Sequence, residues 1–131
     1  MTSDTTPPRP TDGELGILQV LWSQGPSTVR QVMQHLNASR PTGYTTVLKF
    51  MQIMHDKGLL RRDERQRSHV YHPVHEAEQV NGTLVGDLID RAFQASAHKL
   101  VLHALATKEV SSDELNDIRK LLDKIEEEKK Q

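Results

Sequence analysis

The chain has 131 residues, 35% of them apolar and 27% charged, with a formal net charge of -1; this suffices for one modest core or two small units. It contains no cysteine, which excludes a disulfide framework and any thiolate metal site. No apolar run exceeds three residues and the N-terminus lacks the apolar stretch of a secretory signal, so the expectation is a soluble cytoplasmic protein with no membrane insertion and no cofactor.

Residues 1–10 hold three prolines and almost nothing apolar, and read as a disordered arm. Thr11-Asp12-Gly13-Glu14 then fits a capping box, in which the threonine hydroxyl and the glutamate carboxylate each take an orphan backbone N–H. Leu15, Leu18, Leu21 and Trp22 follow at helical spacing, and Gly25-Pro26 stops this first helix. Thr28 to Gln31 is a second box, and Val29, Val32, Met33 and Leu36 form one apolar stripe behind it. A third helix starts near Thr42 or Gly43 and runs to about Lys57, with Val47, Phe50, Met51 and Met54 inside and Gly58 as a left-handed stop.

The period then changes. Leu59–Asp63 and Ser68–His72 read as two short strands around the polar stretch Glu64–Arg67, with Pro73 ending the second. From Glu76 the helical pattern returns: a fourth helix of about twenty residues, a fifth over about 97–106, and a last one opened by the box Ser111–Glu114. The tail from Glu126 to Gln131 is expected to be solvated and frayed. The resulting fold class is mainly α with a small β-hairpin. Residues 11–74 form a winged helix-turn-helix, and 75–131 a three-helix dimerisation region.

Charge divides along the same line. Residues 1–74 carry nine Lys/Arg against six Asp/Glu, and residues 75–131 carry eight against twelve. Within the first half, residues 40–74 hold seven basic and three acidic groups, which suits phosphate binding. In a winged helix the second helix of the pair enters the major groove, where bases are distinguishable. The outer face of that helix offers Thr42, Tyr44, Thr45, Thr46, Lys49 and Gln52. The hairpin adds Arg61, Arg62, Arg65, Arg67 and Ser68, a set fitted to a phosphate backbone or a minor groove.

Other readings of the same residues stand beside this one. A winged helix also serves as a protein-interaction adaptor without operator specificity. His69, His72 and His75 invite a metal reading, but positions three apart on a strand face opposite ways, which is poor for chelation. There is no glycine-rich phosphate loop, no paired catalytic carboxylates and no nucleophile–base signature, so the chain does not read as an enzyme. In the second half, three short helices with strong apolar stripes do not make an independent core. Leu84, Leu88, Phe93, Leu100, Leu105, Leu115, Ile118 and Leu122 are the candidate residues for pairing with a second copy, which would present two recognition helices to a palindromic operator.

Several blocks together resemble the penicillinase-repressor (BlaI/MecI) family. They are Thr11–Leu15 with Leu18–Trp22, Thr28–Val32, Gly43–Lys49, Met54–Leu59, Arg67–Tyr71, Asp90–Phe93 and Lys99–Leu105, spread over residues 11 to about 125. The resemblance implies a homodimeric winged-helix repressor on double-stranded operator DNA, with Thr45, Thr46 and Lys49 reading it and interlocked C-terminal helices forming the dimer. It also implies derepression by proteolysis or another signal, the well-known members being cut by a β-lactam-sensing membrane protease between an asparagine and a phenylalanine. His103 and Ala104 occupy those places here, a departure from the family's pattern. The copper-responsive branch takes its metal through a C-terminal cysteine motif, which this chain lacks.

Overall fold

The computed structural model describes residues 7–131. In chain order these form α1 (Asp12–Gln24), α2 (Val29–Asn37), α3 (Tyr44–Asp56), β1 (Leu60–Asp63), β2 (Val70–Pro73), α4 (Ala77–Ala92), α5 (Ala97–Thr107) and α6 (Ser112–Lys129). The fold is mainly helical with one antiparallel hairpin, a winged helix followed by three helices. The chain divides into two compact units, one through Asp87 and one over Leu88–Gln131. The division falls within α4, not before it as the boundary at residue 74 would have it.

Local signals account for most boundaries. The three expected capping boxes all form, at Thr11/Glu14, Thr28/Gln31 and Ser111/Glu114, each satisfying two orphan donors at a helix start. α3 ends in a Schellman motif. Gly58 adopts φ 84°, its N–H donates to the His55 carbonyl at 3.1 Å, and the Leu59 N–H donates to Met54 at 2.8 Å. A side chain at Gly58 would strain that left-handed turn.

The first unit has one core. Ile17, Leu18 and Leu21 of α1, Val29 and Val32 of α2, Val47, Met51 and Met54 of α3, and Leu59, Leu60 and Tyr71 of the hairpin are buried together. Trp22 is half-buried against them, and its indole N–H donates to the His75 carbonyl at 3.0 Å, tying α1 to the segment after the wing. Glu14 is buried as well. Its carboxylate accepts the Thr11 N–H at 2.9 Å and the Lys57 ammonium at 2.7 Å, so one side chain both caps α1 and ties it to the end of α3. Burial works against the charge, but the Lys57 and Thr11 hydrogen bonds outweigh it and hold the carboxyl below its ordinary value.

The hairpin pairs Leu60 with Pro73, Arg61 with His72, Arg62 with Tyr71 and Asp63 with Val70. β2 stops at Pro73, its last residue, where the missing N–H costs little, but it starts at Val70, two residues later than the expected Ser68. Ser27 adds a third short edge: it exchanges backbone hydrogen bonds with Tyr71 at 2.8 and 3.2 Å, which sets the start of α2 beside the wing.

Two termini differ from expectation. Of the arm, residues 1–6 lie outside the described residues, while Pro7 and Pro10 are buried and Arg9 pairs with Asp87 at 2.6 Å. Proline rings lose little entropy on packing, so a segment poor in other apolar groups can still order. At the other end α6 stays helical through Lys129, because the acidic and lysine-rich tail consists of good helix formers.

The second unit is built differently. Neither α5 nor α6 has a buried residue. Leu88, Val101, Leu102, Leu105, Leu121, Leu122 and Ile125 are all exposed. Between α4 and α5, Gln94 and Ala95 take left-handed conformations with φ 54° and 60°, which favour glycine and are strained for other residues.

Candidate nucleic-acid interface

α3 is amphipathic in the sense the site requires. Val47, Met51 and Met54 are fully buried, which forces Tyr44, Thr45, Thr46, Lys49 and Gln52 outward, and all five are exposed. Thr42 sits just before the helix with its hydroxyl donating to the Arg40 carbonyl at 3.2 Å and its N–H to Asn37 at 2.6 Å, so it shapes the turn between α2 and α3.

The four arginines of the wing are not equivalent. Arg61 and Arg67 are exposed and form no ion pair among the described residues. Arg65 is exposed but engaged: Asp63 accepts its Nη2 at 2.7 Å, its Nε at 3.0 Å and its backbone N–H at 3.0 Å. These contacts close the hairpin turn and hold the Asp63 carboxyl far below the usual range. Arg62 departs most from the expectation of a DNA-facing group. Strand alternation puts it on the same side as Leu60, its side chain is only 22% exposed, and it interacts with Tyr71 and Glu64. Counting arginines along the sequence hides this alternation.

Between α2, α3 and the wing lies a cleft of about 390 Å³, lined by Arg30, Tyr44, Arg67, Ser68 and His69 among others. The Arg30 guanidinium stands over the Tyr44 ring, 5.7 Å from its centroid. Arg30, which the sequence analysis did not single out, and His69, which it weighed only as a metal ligand, both line this cleft. They are far apart in the chain, and the closed core and the Ser27–Tyr71 bridge bring them together.

Of the residues proposed for pairing, Leu84, Phe93, Leu100, Leu115 and Ile118 are half-buried, and Leu88, Leu105 and Leu122 are exposed. His103 and Ala104 are exposed on α5, with the His103 ring 5.3 Å from that of Phe93. Among the described residues no three His, Asp or Glu side chains converge to hold a metal ion, and no helix is long and apolar enough to cross a membrane.

The geometry is matched by kinship. The model of the family described as "Penicillinase repressor" matches residues 10–124. The chain belongs to the penicillinase repressor family. Family members include a protein named transcriptional regulator BlaI from Mycobacterium tuberculosis, 32% identical over 116 residues, covering 88% of this chain and 83% of the relative. The penicillinase repressor of Bacillus licheniformis is 21% identical over 124 residues, covering 95% of this chain and 97% of that one. Among solved structures, a MarR family protein from Bacillus stearothermophilus aligns with a TM-score of 0.53 at 15% identity, over 93% of this chain and 76% of that one, a likeness of fold.

Proposed function

We propose that this protein is a homodimeric transcriptional repressor that binds palindromic promoter operators and is released by proteolysis or another inducing signal. The observation that carries the reading is the outward face of α3, with Tyr44, Thr45, Thr46, Lys49 and Gln52 exposed beside a wing bearing Arg61 and Arg67. Family membership supports it, since the relatives are named as regulators or repressors. α3 enters the major groove, where hydroxyls, Lys49 and Gln52 meet base edges and phosphates. The wing follows the neighbouring backbone or minor groove. The exposed leucines of α4, α5 and α6 support pairing with a second copy, and two copies address the two halves of a palindrome. The names of two relatives, the penicillinase repressor of Bacillus licheniformis and the methicillin resistance regulatory protein MecI of Mammaliicoccus sciuri, support β-lactam resistance genes as targets. A membrane sensor protease as the releasing partner is what the family resemblance implies.

Fluorescence anisotropy tests the reading, using the duplex upstream of the protein's own gene against a scrambled duplex at low and moderate salt. The expected result is tight, strongly salt-dependent binding to the native duplex with two chains per site. Equal weak binding to both duplexes, with a stable complex to another protein, would instead identify an interaction adaptor.

A further inference from the structure

We infer that the cleft between α2, α3 and the wing is a seat for one backbone phosphate of the bound duplex, clamped by Arg30 and Arg67, with the Tyr44 ring as the platform that holds Arg30 in place. The inference rests on the operator-binding reading and adds to it a site that the exposed face of α3 does not include.

Three observations converge on it. The first is position. If α3 occupies the major groove and the wing the adjoining minor groove, the sugar–phosphate strand that separates those grooves must pass between them. The cleft lies there, with Tyr44 of α3 on one wall and Arg67, Ser68 and His69 of the wing on another. The second is charge. Arg30 and Arg67 both line the cleft and no carboxylate does; the nearby acid, Asp63, is already taken by Arg65. The third is order. Arg30 is exposed, yet its guanidinium carbon stands over the Tyr44 ring at 5.7 Å from the centroid, within cation–π reach. A guanidinium drawn to a ring face keeps N–H groups to donate, and less side-chain freedom is lost when they bind. The Ser68 hydroxyl and the His69 imidazole supply further donors of the kind a phosphodiester oxygen accepts. The Ser27–Tyr71 bridge and the shared core hold α2 beside β2 and so form the wall of the cleft.

The test pairs protein variants with modified DNA. Wild type, Arg30→Ala, Arg30→Lys and Arg67→Ala are titrated against duplexes carrying a single neutral methylphosphonate, moved one position at a time along the backbone. Wild type should show several sensitive positions per half-site, among them one, at the strand between the two grooves, where neutralisation lowers affinity about tenfold and reduces the salt slope by about 1. Arg30→Ala and Arg67→Ala should each lose affinity on the unmodified duplex and each become markedly less sensitive to neutralisation at that same position, while the other sensitive positions keep their effect. Arg30→Lys, which keeps the charge but stacks and forks less well, should fall between wild type and Arg30→Ala. Thermal melts check that the variants fold, as expected for exposed side chains. If wild type binds its operator but Arg30→Ala matches it in affinity, salt slope and methylphosphonate profile, the clamp is wrong and the repressor reading survives. If wild type shows no salt-dependent duplex binding, both fail together.

Discussion

The unit through Asp87 and the unit over Leu88–Gln131 use similar apolar residues to opposite ends. In the first, Ile17, Leu18 and Leu21 of α1, Val29 and Val32 of α2, and Val47, Met51 and Met54 of α3 close on the hairpin and vanish from solvent. In the second, α5 and α6 keep every residue at least partly accessible, and leucines such as Leu121 and Leu122 remain more than half exposed. Helical amphipathicity therefore has two uses in one chain. A stripe facing other elements of the same chain makes a core. A stripe with no intrachain partner is surface that water solvates poorly, and it favours association.

The largest expected effect sharpens that contrast. Leu18→Ala removes a fully buried side chain from the first unit and should cost about 2–5 kcal/mol in urea unfolding, through lost transfer energy and a residual cavity. Leu121→Ala in a dilute monomeric sample should cost well under 1 kcal/mol, because its side chain is already wet. Equal losses at the two sites would break the comparison.

Next comes association. Leu122→Asp places a charge on the exposed stripe of α6 and should convert a dimer into a monomer in sedimentation equilibrium, while leaving the near-UV spectrum of the first unit unchanged. Operator affinity should fall about a hundredfold as the second half-site becomes an independent binding event. A Leu122→Asp protein that stays dimeric would show that this stripe is not the pairing surface.

A third effect is confined to the first unit and reports on Glu14. Its carboxyl lies below its ordinary value of about 4.5 in the folded chain, so the folded state holds fewer protons there than the unfolded state. The stability this contributes is fully present above about pH 4.5 and is lost as the pH falls through the lower folded value. Urea midpoints measured from pH 6 down to 3 should decline less steeply for Glu14→Gln than for wild type. Lys57→Ala, which leaves the buried carboxylate without its cation, should cost about 2 kcal/mol at neutral pH.

The smallest effects separate the wing's arginines. Arg67→Ala should lower the salt slope of DNA binding by about 1, whereas Arg65→Ala should lower it less, because Asp63 already engages that guanidinium. Arg62→Ala should act mainly on thermal stability through its contacts with Tyr71 and Glu64. A full unit of slope lost on removing Arg62 would overturn the inward placement drawn from strand alternation.

Much of the fold was legible because its signals are local. A threonine followed three residues on by glutamate or glutamine carries its own capping geometry, and a glycine after a helical stripe carries its own left-handed turn. These marks placed α1, α2, α3 and the start of α6 within a residue or two of where they lie. The outward residues of α3 were legible for the same reason, since the inner stripe fixes the phase of the helix. The partly buried position of Arg62 was not legible because the density of positive charge was weighed before the two-residue period of the strand. The described part of the arm was misjudged because low apolar content was equated with disorder, while Pro7 and Pro10 are buried and Arg9 is paired with Asp87.

By itself, then, the sequence determined the order of the elements, the inner and outer faces of α1, α2 and α3 and the membership of the family, all of which depend on neighbours a few residues apart or on whole-chain pattern. Tertiary structure alone decided the features that join distant segments: the buried Glu14–Lys57 tie, the Ser27–Tyr71 bridge, and the cleft that gathers Arg30, Tyr44 and Arg67. The physical reason is range. Capping and periodicity act within one or two turns of chain, whereas an ion pair or a cleft exists only after the core has closed and set its walls at contact distance.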